Sequence, residues 1–316
     1  MELFTIATYE PVTSSECYDQ LGWFDITFGV LLTIGIWVSW LPQQIEFYRK
    51  KSTFGVSSAY IVLTQIANWT PFINALYLDW DTFQCCKYIS FWQCQESLIT
   101  IYQLGISTFS VFCIYIFYVI YYDPTDLSAA DKIPSPQMEQ PSEYDSLTKP
   151  GLVAEEREEL IRSQTPPEVR TREKKKQVII FIVYHICTLC VIVVGYMIIA
   201  IAGAYSTPIV WYAYILGFIS AIVVIIQFAP QIYITYKLKT AGSLSLVMLV
   251  IQTPGTWVWF VYLVAAHENW STWLSTFVAA TQVSILLGQV IYYDYFLARW
   301  RKRHKQALVN ESDEIF

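Results

Sequence analysis

Charge is what this sequence has least of. Of its 316 residues only 15% are charged, whereas 55% are hydrophobic. Soluble domains usually carry about a quarter charged residues, so the composition speaks against a water-soluble globular protein. The few charges are also clumped. Ser97–Tyr122, Ser243–Ala266 and Asn269–Tyr293 contain none, and in Gln177–Tyr236 His185 is the sole ionisable acid or base. As one helix that last run would be roughly 90 Å long, against a hydrocarbon core of ~30 Å, so it must be two spans. Gly203–Pro208 is the only cluster of chain breakers available between them. Enzymatic constellations are missing as well: there is no nucleophile–base pair, no metal-ligand spacing among the seven cysteines and no phosphate-binding glycine loop. No basic–aromatic patch suggests nucleic acid, and no cofactor is expected.

What is present reads as membrane spans near Ile26–Phe47, Val56–Leu78, Trp92–Tyr122, Val178–Ala202, Pro208–Tyr236, Ser245–Ala266 and Trp273–Leu297, each long enough to cross a bilayer with some tilt. The first fifteen residues lack a basic start and an apolar run, so the first span is expected to act as its own insertion signal. With the N-terminus in the lumen, Lys87 is the one lumenal residue among twenty Lys and Arg. The positive-inside rule therefore predicts a lumenal N-terminus and a cytosolic C-terminus. Cys17, Cys85, Cys86 and Cys94 then fall on the lumenal side, where one or two disulfides are permitted, with the pairing left open.

Pro124–Lys176 is polar, acidic and almost without aromatics, and is expected to be a disordered cytosolic loop. Tyr144-Asp145-Ser146-Leu147 fits the tyrosine-based sorting pattern, and Glu156 followed by Leu160-Ile161 fits the acidic dileucine pattern. Sorting adaptor proteins would read either as an extended peptide; a solvated acidic segment is the plain alternative for each. Together they favour an endolysosomal or vacuolar membrane. Asn269-Trp270-Ser271 is a candidate glycosylation site in a short lumenal loop.

The chain also repeats itself. Trp40-Leu41-Pro42-Gln43 and Phe228-Ala229-Pro230-Gln231 lie 188 residues apart, and at the same offset Gly29 meets Gly217, Lys51 meets Lys239, Ser57 meets Ser245 and Trp69 meets Trp257. Val119–Asp123 recurs as Val290–Asp294, closing the third and seventh spans. Spans 1–3 and 5–7 are thus two copies of one unit, and an extra fourth span makes the copies parallel. The expected fold is an all-α integral membrane protein: seven transmembrane helices as two parallel three-helix bundles joined by a linker helix. The expected segments are a lumenal stretch 1–22, a first repeat 23–123, the loop 124–176, the linker 177–204, a second repeat 205–298 and a tail 299–316.

Two Pro-Gln pairs, each followed by a basic turn and a small–apolar–Ser step (Gly55-Val56-Ser57, Ser243-Leu244-Ser245), resemble the PQ-loop family. That family includes cystinosin, the vacuolar and lysosomal basic-amino-acid exporters and, more distantly, the SWEET sugar carriers. The resemblance implies that Pro42, Gln43, Pro230 and Gln231 are gating hinges. By itself, a proline removes a helical N–H donor and kinks the helix, so a static kink is the alternative. Polar groups at membrane depth need a partner or a cavity. Gln65, Asn68 and Trp69 share one face of span 2, and Gln252, Thr256 and Trp257 fall at the related place in span 6. They are candidates for lining a central solute cleft, or for hydrogen bonds that merely join helices. Gln103 and His185 are secondary candidates. The exporters' acid within span 2 aligns with Asn68 here, which speaks against cationic substrates and leaves Glu96 as the candidate coupling residue. The reading is an organelle-membrane carrier of a small polar solute, an amino acid first, working by alternating access. Its partners would be the lipid bilayer, the solute and sorting adaptors. The rival is a membrane scaffold or solute-sensing receptor that recruits proteins through the 124–176 loop.

Overall fold

The computed structural model describes residues 23–78, 80–122, 167–204, 206–265 and 270–297. Among these residues the regular structure is entirely helical: α1 Trp23–Lys50, α2 Ser58–Leu78, α3 Trp80–Cys85, α4 Phe91–Ser97, α5 Ile99–Ile120, α6 Pro167–Ala202, α7 Thr207–Ile226, α8 Ala229–Leu238, α9 Leu246–Ala265 and α10 Trp270–Val290, the last continued by a π-helical turn at Ile291–Leu297. Among the described residues four stretches are long and apolar enough to cross a membrane: Ile99–Ile120, Pro167–Ala202, Thr207–Leu238 and Thr276–Phe296. Only 6% of the most apolar window of α6 is buried. Ile182, Val183, Ile186, Leu189, Val193 and Met197 are all exposed, which water would penalise and lipid does not. This is a multi-pass membrane protein.

Helix boundaries depart from the expected ones in three places. α6 starts at Pro167, ten residues inside the stretch expected to be disordered. Proline suits the first helical position, Glu168 follows in the first turn, and the Arg, Glu and Lys residues beyond are strong helix formers running into an apolar span. Burial of Glu173 and Gln177, the latter accepting a bond from Ser58 Oγ at 2.8 Å, anchors this extension. The third span is interrupted at Leu98: Ser90 and Gln93 form a reciprocal capping box on a separate short helix, α4. The fifth span ends at Ile226 and restarts at Ala229, whereas α1 runs unbroken through Pro42. Pro230 occupies the first turn of α8, the place in a helix where a missing N–H costs least.

Two compact units are present. One comprises Met1–Leu41, Val62–Tyr115 and Phe181–Ile225; the other comprises Pro42–Ile61, Ile116–Ile180 and Ile226–Phe316. Neither coincides with a sequence repeat, because the division runs across the helices and places part of each repeat in each unit. In the first unit, Ile73 and Tyr77 of α2 form a core with Ile209, Ala213 and Leu216 of α7. Tyr77 also donates to the Ile192 carbonyl at 2.7 Å, and Gly195 on the next turn of α6 leaves room for its ring. A side chain at Gly195 would overlap that ring. Gly195→Val is therefore expected to destabilise the protein by about 1–3 kcal/mol, measured as a lower unfolding temperature in detergent. In the second unit α9 packs on α10 through Trp257, Phe260 and Phe277, with ring centroids 5.4–5.9 Å apart. Outside the spans, Cys86 is disulfide-bonded to Cys94, one of the pairings left open among Cys17, Cys85, Cys86 and Cys94; Cys17 lies outside the described residues.

Candidate functional site

The two copies of the repeat meet in the second unit at their basic turns. α1 and α8 each end on a left-handed lysine, Lys51 (φ 49°) and Lys239 (φ 55°). Their N–H groups close the last helical turn on Phe47 O at 2.9 Å and Thr235 O at 3.0 Å. Beyond each lysine the chain runs through a short turn before α2 or α9 begins. Here the glutamines of the two Pro-Gln pairs act, and they act reciprocally. Gln43 donates through Nε2 to Ser243 O at 2.9 Å and accepts through Oε1 from Ser245 N at 2.7 Å. Gln231 donates to Gly55 O at 2.8 Å and accepts from Ser57 N at 2.8 Å. Each amide thus satisfies one carbonyl and one N–H of the other copy's turn, and the 188-residue offset carries one pair of bonds onto the other. Gln43 is 3% exposed and Gln231 not at all. In a buried setting such bonds are strong, and leaving the groups unpaired is costly.

Close backbone contact seals the arrangement. Ser243 N donates to Phe54 O at 2.6 Å. A Cβ on Gly55 would lie 2.8 Å from Ala241 O, and one on Gly242 would overlap Phe54 O. Both glycines have positive φ, 81° and 58°, so here the turns require glycine. Around this contact Lys50 donates to Gly242 O at 2.7 Å and pairs with Glu46 at 2.8 Å. Asp294 accepts from Thr240 Oγ1 at 2.9 Å and from Ala241 N at 3.3 Å. Lys239 lies 3.5 Å over the Tyr236 ring and bonds Tyr293 Oη at 3.3 Å.

The remaining candidates divide between the units. In the first, Gln65 is fully buried and donates to Val111 O at 2.6 Å. Asn68 donates to Thr64 O and accepts from Ser107 Oγ at 2.7 Å, and Trp40 Nε1 in turn donates to that hydroxyl at 3.3 Å. Both residues of α2 therefore reach α5, in the helix-joining manner. Trp69 packs on Phe72 and the α2–α7 core; its buried Nε1 has no hydrogen-bond partner among the described residues. Gln103 donates to Gly29 O at 3.0 Å. His185 shares a bond with Phe181 O at 2.8 Å and sits among the rings of Phe112, Phe181 and Tyr184. In the second unit Trp257 donates to Ser284 Oγ at 2.9 Å, and Thr256 bonds back to Gln252 O in its own helix. Glu96 is half-buried in the last turn of α4, outside the long helix α5. Tyr144, Leu147, Glu156, Leu160, Ile161 and Asn269 lie outside the described residues.

The turn-to-turn clamp, with Phe54, Gly242 and the Trp40–Ser107–Asn68 chain, is absent from the reading of the sequence. One signal of it was available, since the offset that pairs Gln43 with Gln231 also pairs Gly55 with Ser243 and Ser57 with Ser245.

Comparison with known proteins agrees with the duplication. The PQ loop repeat matches this chain twice, at residues 26–84 and 212–272. An uncharacterized protein of Schizosaccharomyces pombe is 27% identical over 292 residues, covering 90% of this chain and 86% of its own. No solved structure matches.

Proposed function

We propose that this chain, which matches the PQ loop repeat twice, is a carrier for a small polar solute, an amino acid foremost, in a vacuolar or lysosomal membrane. Seven spans in a three–one–three order would place the N-terminus in the lumen and the basic turns in the cytosol. The observation that carries this reading is the reciprocal clamp of Gln43 and Gln231, with a proline immediately before each glutamine. Alternating access needs an end of the protein that closes fully and opens again. Four hydrogen bonds to backbone, arranged with the symmetry of the repeat, can be made and broken together, and the prolines weaken α1 and the α7–α8 junction just where those helices must swing. Without an acid at Asn68, a neutral or zwitterionic solute fits better than a cation.

Uptake at the cell surface tests the proposal. Leu160→Ala with Ile161→Ala should divert the protein there, and labelled amino acids and sugars are then offered at neutral and acidic outside pH. Saturable uptake that falls to background in Pro42→Ala is the expected result. No uptake of any solute, with surface expression demonstrated, would refute the carrier and favour a scaffold acting through its long loop.

A further inference from the structure

A cleft of about 700 Å³ opens in the second unit where the basic start of α6 passes the end of α5 and the turn after α1. Among the described residues four cations line it, Lys51, Arg170, Lys174 and Lys175, and no carboxylate does. Glu173 on α6 is 5% exposed and lies 3.9 Å from Lys176. Lys174 donates to Ile120 O at 3.1 Å, which holds its ammonium at the mouth of the cleft.

Helical spacing arranges this lining as an amphiphile would need it. Arg170, Lys174 and Val178 form one row at i, i+4, i+8; Thr171, Lys175 and Ile179 form the next. Each row therefore passes from polar or cationic to apolar as α6 enters its span. Ile179 and Ile120 are 59% and 52% exposed. Arg170 and Lys174, both in the lining, stand at four-residue spacing on α6, where like charges repel one another.

The second repeat holds its matching lysine differently. Lys239, the counterpart of Lys51, is held over Tyr236 and bonded to Tyr293. Lys51 instead faces the cations of α6, an element outside the repeat. The site is thus a property of the linker helix rather than of the duplicated unit.

We propose that this cleft binds the phosphorylated headgroup of an anionic membrane lipid, with Arg170, Lys174, Lys175 and Lys51 on the phosphate and the acyl chains lying along Ile120, Val178 and Ile179. A soluble phosphate would use the same cations but gain nothing from the apolar half.

The test uses the full chain in nanodiscs of neutral phosphatidylcholine, titrated with a fluorescent short-chain phosphatidylinositol phosphate. Each cation near a membrane surface contributes about 1 kcal/mol to such binding. The triple variant Arg170→Gln, Lys174→Gln, Lys175→Gln should therefore bind about a hundredfold more weakly. Glutamine is a good helix former, and Lys175→Gln alone, with a loss of about fivefold, provides a reading should the triple variant misfold. Arg301→Gln, Lys302→Gln, Arg303→Gln makes the same change of charge in the C-terminal tail and should bind as the parent does. Equal weakening by the tail variant would reduce the effect to diffuse charge and overturn the site. Competition by soluble inositol bisphosphate as potent as that by the lipid would assign the cleft to a free phosphate and overturn the lipid.

Discussion

Gln231→Leu is expected to destabilise the protein by about 2–6 kcal/mol and to abolish solute flux. Leucine fills the same volume but leaves Ser57 N–H and Gly55 C=O buried with no partner, and each orphaned group costs about 1–3 kcal/mol. Both groups are buried beneath the turn, Ser57 being 3% exposed, so water cannot easily replace the amide. The effect should appear as a lower unfolding temperature in detergent, and the repeat makes the result checkable from the other side. Gln43→Leu strips Ser243 O and Ser245 N–H in the same way and should match Gln231→Leu within about 1 kcal/mol, since the two amides make equivalent bonds to the turns and Gln231 adds only a 3.3 Å bond to Thr235 Oγ1. The double variant should fall short of the sum, because both clamps hold one pair of turns together and loss of the first already loosens the second. If both single variants melt with the parent, the amides do not hold the turns.

Gly242→Ala is expected to act at the same contact through the backbone. An alanine at φ 58° is strained by about 1–2 kcal/mol. Its methyl would also overlap the Phe54 carbonyl oxygen, and backbone on backbone cannot be relieved by turning a side chain. The two turns must separate, stretching the Ser243–Phe54 bond and both bonds of Gln43. A total of about 2–5 kcal/mol follows from strain and overpacking together. Gly255 provides the control. It lies within α9, and a Cβ there meets nothing within 4 Å, so Gly255→Ala should be neutral or stabilising by up to ~1 kcal/mol. Thermal unfolding of the two variants side by side decides the point. Equal melting temperatures would mean that the turns are not in the tight contact described.

How differently the two prolines behave shows where reading the sequence stops. Pro42 and Pro230 sit in matching motifs, and each is expected to kink its helix. In the structure α1 continues through Pro42, whereas the second copy breaks at Gln227–Phe228 and takes Pro230 into the first turn of α8. Local sequence cannot separate these outcomes, because a proline is tolerated both within a helix packed by its neighbours and at a helix start. The same holds for Leu98, where the polar Gln95, Glu96 and Ser97 give way to apolar Ile99 and the chain turns between α4 and α5.

By itself the sequence determined the helical, membrane-embedded character of the protein, the duplication and the pairing of Gln43 with Gln231. These follow from long uncharged runs, which only helices can satisfy in lipid, and from residue identities at a constant offset. Only the tertiary structure decided what those glutamines hold. Their partners lie 174 to 202 residues away in the chain, and nothing in local propensity or periodicity encodes which distant backbone groups will be left without hydrogen bonds. The same reason hid the cationic cleft. Lys51, Ile120 and Arg170 carry no shared pattern, and they become neighbours only because α6 extends as a helix back to Pro167 and brings its basic turns against the ends of α1 and α5.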